Sequence, residues 1–184
     1  MMLYTPHTIH LEAETPRSMS MISEKVVKAM NDQINMEYYS AFLYLGMSNE
    51  MDGKGYRGYA NWLFVQYKEE KEHAEKFIDF LQRRGQEPTL ATINAPGKVP
   101  ATPLDVARAA YEHEMKVSAS IDKIYELAIK EADYASASFL KWFIDEQVEE
   151  EENTRNIIGM FEGAGKDVSA IFAVDHHLGK REDE

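Results

Sequence analysis

Four stretches of this sequence carry a carboxylate where a packed helix would place an apolar side chain. Inward helix faces repeat at alternating steps of three and four residues. At that spacing the first stretch reads Val27, Met30, Ile34, Glu37, Ala41, Tyr44, Ser48. The second gives Tyr59, Leu63, Gln66, Glu70, His73, Phe77, Leu81, and the third Ala107, Ala110, Glu114, Val117, Ile121, Ile124, Ala128. The fourth gives Leu140, Phe143, Gln147, Glu150, Thr154, Ile157, Phe161. Each interruption falls near the middle of its stripe, so the four meet in about one layer whichever way each helix points. The four glutamates, with His73 and Gln147, then share the interior of a bundle.

Burying an isolated carboxylate costs on the order of several kcal/mol even after relaxation, and four that face one another do not all stay ionised. Protonation with mutual hydrogen bonds would satisfy one or two of them, and a stripe shifted by one residue would put a glutamate at the surface. Cations answer for all four at once. Two divalent ions offset four carboxylates, a bridging glutamate touches both, and His73 adds one nitrogen ligand. Oxygen-dominated ligands with a single imidazole suit iron or manganese, and zinc also binds such a set. Glu70 and His73, three residues apart, lie on one face of their helix, as a shared site requires.

The elements that must position these residues are marked by their punctuation. A first helix starts near Ser20 or Ser23 and runs to about Glu50, before Gly53 and Gly55; a second runs from about Tyr56 to Arg84 and stops at Gly85. The third has Thr102 as N-cap, Pro103 at its first position and Asp105 at its third, and continues to about Glu131. A fourth follows Asp133 and runs to Glu162, and a short fifth follows Asp167 and ends before Gly179. Four helices of nearly thirty residues, each roughly 40 Å long, describe an all-α four-helix bundle. The segment Gln86–Ala101, with Pro88, Pro96, Gly97 and Pro100, is long enough at ~3.3 Å per residue to cross the whole bundle. One long crossover is a known bundle topology.

Composition narrows the chemistry further. The chain has 184 residues, 44% hydrophobic and 28% charged, which suits one soluble domain. No apolar run approaches the roughly 18 residues of a membrane span. The opening MMLYTPHTIHLEAETPRSM has neither a basic start nor a continuous apolar block. The expected location is therefore cytoplasmic. The absence of cysteine excludes disulfides, zinc fingers, iron–sulfur clusters and thiolate-bound haem, leaving oxygen and imidazole as metal ligands. A net charge of −12 and a pI near 5.0 repel nucleic acid and anionic lipid and attract cations.

With these residues in view the sequence resembles the ferritin-like di-iron carboxylate proteins, whose bundles supply a Glu from each of two helices and Glu-x-x-His from each of the others. Glu37 and Glu114 match the single glutamates, and EEKEHA (Glu69–Ala74) carries one Glu-x-x-His. The fourth helix reads WFIDEQVEEEE, where Gln147-x-x-Glu150 replaces the second such motif. That asymmetry is similar to prokaryotic non-haem ferritins and unlike bacterioferritins or rubrerythrins. Lys71 stands where bacterioferritins carry their haem-binding methionine, and there is no cysteine for a rubrerythrin iron. The resemblance runs from about Ser20 to Leu178 and includes SFLKWF, EQVEEE and the short fifth helix.

The resemblance implies one iron site from Glu37, Glu70 and His73, and a second from Glu70, Glu114 and Glu150 with Gln147 nearby. It implies a third, inward site from Glu69, Glu146 and Glu149, residues that would equally suit a solvated face. Tyr44 resembles the tyrosine beside the family's di-iron centre, either an electron donor or a packed aromatic bonded to a glutamate; Trp142 reads as packing. It further implies a ferroxidase without haem, oxidising Fe(II) with O2 or H2O2 and depositing ferric oxyhydroxide. Twenty-four copies would form the cage for that mineral. Related bundles serve oxygenase or radical chemistry, and a bundle that binds metal without turnover is the third reading. Residues 1–19, with His7 and His10, read as a flexible extension with Met19 or Met21 as alternative starts. Residues 20–178 form the domain, and 179–184 a solvated tail beside His176 and His177.

Overall fold

The computed structural model describes residues 22–182. The expected extension 1–19, with His7 and His10, and the alternative cap Ser20 lie outside them. Five helices follow in order: α1 (Glu24–Gly53), α2 (Arg57–Arg83), α3 (Pro103–Lys130), α4 (Tyr134–Ala164) and α5 (Val168–Leu178). Their starts follow from the local sequence. Ser23 Oγ accepts from the Val26 N–H, Thr102 Oγ1 from Asp105 N–H with Pro103 in the first turn, and Asp133 and Asp167 cap α4 and α5 in the same way. Each satisfies a backbone donor that has no partner within its helix. The chain turns away from α2 at Gly85, whose φ of 72° favours a residue without Cβ.

α1 pairs with α2 and α3 with α4, and the crossover between the pairs lies along α1. Thr89 N–H donates to Asn31 Oδ1 at 2.8 Å, Pro96 and Val99 pack beside Gly46, and Lys54 Nζ donates to the Ala101 carbonyl. The segment thus travels from the start of α1 to its end, which reverses the directions of α3 and α4 relative to a simple up-and-down bundle. Arg84, at the end of α2, pairs with Asp133 at 3.1 Å and fastens it to the start of α4. Every residue of the four stripes is buried except Val27, which is half-buried while its neighbour Val26 takes the core position.

The short α5 docks across the start of α2. Asp175 Oδ1 accepts from Tyr59 N–H at 2.8 Å, and Leu178 joins the core beside Tyr59 and Leu63. The approach depends on Gly58, where an added Cβ would lie 1.8 Å from the Asp175 carbonyl oxygen. Backbone cannot yield as a side-chain tip can. Gly58→Ala is therefore expected to undock α5 and lower stability by about 2 kcal/mol or more, read as a drop in melting temperature with α1–α4 helicity retained. An unchanged melting temperature would contradict this packing.

Candidate metal centre

The core is split into two apolar clusters by a polar layer. One cluster holds Ile34, Phe77, Val117 and Phe143; the other holds Tyr44, Leu63, Ala110 and Ile157. In each helix the candidate ligands lie between the two: Glu37 on α1, Glu70 and His73 on α2, Glu114 on α3, and Gln147 and Glu150 on α4. All six are buried, none more than 5% exposed. The mid-stripe interruptions therefore do meet in one layer, as their spacing requires.

Within this layer Glu37, Glu70 and His73 each offer a ligand atom, and those atoms lie within 4.8 Å of one another. Glu37 Oε1 accepts from Gln33 Nε2 at 2.9 Å, but Glu37 Oε2 and Glu70 Oε2 are buried with no hydrogen-bond partner. His73 Nδ1 stands 3.6 Å from Glu70 Oε2. Glu114 accepts from the Tyr44 hydroxyl on one oxygen and from Gln147 Nε2 on the other, the latter at 3.2 Å. Glu150 Oε2 accepts from Gln66 Nε2 at 2.8 Å. Two orphaned carboxylate oxygens beside an imidazole are what a cation would satisfy, since a buried acceptor without a partner is costly. The donor set is hard oxygen with one nitrogen, which fits iron.

The electrostatics point the same way. Burial pushes Glu37 up to about 8, against the donor Gln33. Burial and then the charges of Glu114, Glu37 and Glu150 hold Glu70 well above the carboxylate range. Glu150 is raised by burial, Glu114 and Glu69 to about 8, and Glu114 by burial to about 7 despite its bonds from Tyr44 and Gln147. His73 moves in the opposite direction, to about 4, through burial and the charge of Lys76. Its imidazole is therefore neutral at pH 7 with a lone pair available, the form that binds metal. Burial and the surrounding glutamates raise the Tyr44 hydroxyl, so it stays a donor to Glu114.

The three remaining candidates stand apart. Glu69, Glu146 and Glu149 line a cleft of about 580 Å³ with Lys68, Glu72 and Lys76, and His73 and Trp142 form part of its wall. Glu69 and Glu146 are half-buried and Glu149 is exposed. Their ligand atoms do not converge as those of Glu37, Glu70 and His73 do; that is the one such group among the described residues. Trp142 packs edge-on to His73 and Phe143 and carries Lys76 over its face at 4.5 Å.

Three residues of the site carry no role in the sequence reading. Gln33 lies one turn before Glu37, and the four-residue spacing was the available signal. Gln66 sits in the second stripe but reveals its partner only in three dimensions. Arg181 departs from the expected solvated tail: its side chain is 21% exposed, and its guanidinium reaches Glu69 and the Gln66 side-chain oxygen and covers the Trp62 ring at 4.6 Å.

Comparison with known proteins places these features in context. A family model described as a ferritin-like domain matches residues 27–164. A probable bacterial non-heme ferritin-like protein of Haemophilus influenzae is 36% identical over 159 residues, 86% of this chain and 96% of that protein. A bacterial non-heme ferritin of Staphylococcus aureus is 34% identical over 161 residues, 88% of this chain and 97% of its own. Among solved structures, an open pore ferritin from the hyperthermophilic archaeon Archaeoglobus fulgidus superposes with a TM-score of 0.87 at 40% identity. It covers 88% of this chain and 99% of that one.

Proposed function

The chain belongs to the ferritin family, and from that premise we propose that it stores iron by oxidising Fe(II) at the buried carboxylate layer and depositing ferric oxyhydroxide inside a cage of its own copies. The observation that carries this reading is the pair of unpartnered buried oxygens, Glu37 Oε2 and Glu70 Oε2, beside a neutral His73. Fe(II) is the substrate. Glu37, Glu70 and His73 would take one ion; Glu70, Glu114 and Glu150, with Gln147 nearby, a second. Glu70 suits the shared position because the charges of Glu37, Glu114 and Glu150 all act on it.

Each part of the layer has a task in that reaction. The carboxylates favour Fe(III) over Fe(II) because hard oxygen ligands suit the harder ion. Each pair of Fe(II) ions gives two electrons to one molecule of O2, which leaves as H2O2, or to one of H2O2, which leaves as water, and hydrolysis of Fe(III) releases protons. Loading also displaces the protons that burial places on Glu37, Glu70 and Glu150. Gln33, Tyr44, Gln66 and Gln147 hold the carboxylates in orientation without offering a competing charge. Tyr44, bonded to Glu114, would be a further electron donor, and Glu69, Glu146 and Glu149 would have to turn toward one another to hold an ion in the adjoining cleft. That cleft, lined with lysines and glutamates, suits ions better than an organic substrate.

The assembly would be a cytoplasmic 24-mer without haem. No helix among the described residues is long and apolar enough to cross a membrane. An aerobic Fe(II) titration with sizing of the product tests the whole reading. Hundreds of iron atoms co-eluting with a cage-sized particle, after rapid oxidation, are the expected result. Binding that stops at two or three per chain in a small oligomer would overturn storage and favour a di-iron enzyme.

A further inference from the structure

Arg181 lies beyond the last helix, yet its side chain closes a relay that ends at the polar layer. One guanidinium nitrogen donates to Gln66 Oε1 and the other to Glu69, while Gln66 Nε2 donates to Glu150 Oε2 at 2.8 Å. The Trp62 ring lies against the guanidinium at 4.6 Å, and Asn61 Nδ2 fixes the Arg181 carbonyl at 3.0 Å. Gln66 is fully buried and Glu150 is 3% exposed.

We propose that Arg181 is a positioning residue for the metal centre: it fixes the polarity of the Gln66 amide and thereby the orientation of the Glu150 carboxylate. The inference rests on the reading of Glu150 as a ligand of the second ion. Its chemistry is simple. A glutamine amide has nearly the same shape when turned over, so shape alone does not decide which end faces Glu150. A guanidinium carries donors only, so it accepts no arrangement but the one with the amide oxygen toward itself. The N–H end then faces Glu150, and the reversed amide would set acceptor against acceptor. Arg181 also supplies a positive charge that favours the ionised form of Glu150. The planar fork allows one side chain to hold Gln66 and Glu69 together, which an ammonium does less well. A residue beyond α5 thus completes a site built on α1–α4, and the docking of α5 on α2 brings it there.

The test is an anaerobic Co(II) titration of the full-length assembled protein, followed by the ligand-field absorption of the ion. Wild type is expected to bind two Co(II) per layer. Arg181→Met, which keeps an apolar stem, should weaken the second equivalent about tenfold, the lower end of what loss of an outer partner costs a metal site. The first equivalent, on Glu37, Glu70 and His73, should keep its affinity. Arg181→Lys, which retains donors without the fork, should recover part of the loss. Gln66→Leu should weaken the second equivalent as Arg181→Met does, and the double variant should be no weaker than either single one, because both break one relay. Additive losses, or a second Co(II) bound equally by wild type and Arg181→Met, would overturn the inference alone. Wild-type protein that binds no second Co(II) would overturn the ligand reading itself. Melting temperature and particle size, measured on each variant, separate relay loss from undocking of α5.

Discussion

Glu70→Gln is expected to slow Fe(II) oxidation on the order of 100-fold or more while making the metal-free protein more stable at pH 8. Glutamine has nearly the volume of glutamate, so the packing between the two apolar clusters is preserved. What changes is the proton: the folded state must hold one on Glu70 at pH 8, where the unfolded chain has released it, whereas an amide needs none. Glu70 is 2% exposed, its Oε2 has no partner, and the charges of Glu114, Glu37 and Glu150 all oppose its ionisation. Replacing it removes one of the four groups that folding must neutralise, and the new amide N–H finds acceptors among the remaining carboxylates. A melting-temperature rise of a few degrees corresponds to about 1 kcal/mol at this chain length. The same change removes the carboxylate shared by both proposed ions, so ion binding falls with oxidation. A residue kept for packing would behave otherwise, with stability falling and oxidation little affected. Oxidation rates and metal-free melting curves, taken on the same preparation, decide between them; retained activity or a lower melting temperature would remove Glu70 from the bridging position.

The sequence carried the bundle and the polar layer because both depend on local rules. The cap Thr102 with Pro103, the stop at Gly85 and the three-and-four spacing each state a preference that tertiary packing reinforced. The spacing places Glu37, Glu70, His73, Glu114, Gln147 and Glu150 inside the core, and burial of every one follows from the apolar residues on either side. The single slip, Val26 for Val27, occurs in the first turn of α1, where the end of a helix packs less regularly. Other features were silent for a physical reason. Arg181 is separated from Gln66 by more than a hundred residues, and nothing periodic links them. Only the docking of α5, which depends on the closeness of Gly58 to Asp175, brings a polar C-terminal residue against the site. Glu69, which the sequence offers as a ligand of the third site, shows its bond to Arg181 only in three dimensions. Local spacing thus reveals ligands on one helix face, whereas the groups that orient those ligands depend on which helix lies next to which.

Metal-free protein is expected to lose stability steadily as pH rises from about 5 to about 8, and a divalent ion to reverse the trend. The sign follows from the glutamates. In the unfolded chain they titrate near 4.5, whereas folding raises Glu37 and Glu150 to about 8, Glu114 to about 7, and Glu70 also upward. Between those limits the folded state holds protons that the unfolded state has released, so each step up in pH favours unfolding. Their contribution is fully present below 4.5 and is lost as pH passes through the folded values. His73 and His113, both lowered to about 4 by burial, act in the opposite sense up to their unfolded value of 6.5, but two imidazoles offset only part of the effect of four glutamates. Asp133, too, acts against the glutamates. Burial alone would raise it, but the bonds from Ser136 and Arg84 prevail and lower it, so its stabilisation is lost only in stronger acid. Stability should therefore pass through a maximum near pH 5 and decline above it. Zn(II), which binds this ligand set without redox chemistry, competes with those protons and is expected to bind more tightly as pH rises. Melting temperatures at fixed protein concentration, with and without Zn(II), across pH 5 to 9 provide the check. The metal-free curve should fall and the Zn(II) curve should diverge upward from it. A metal-free curve that is flat or rising over that range would mean that the four glutamates do not share a buried layer in solution.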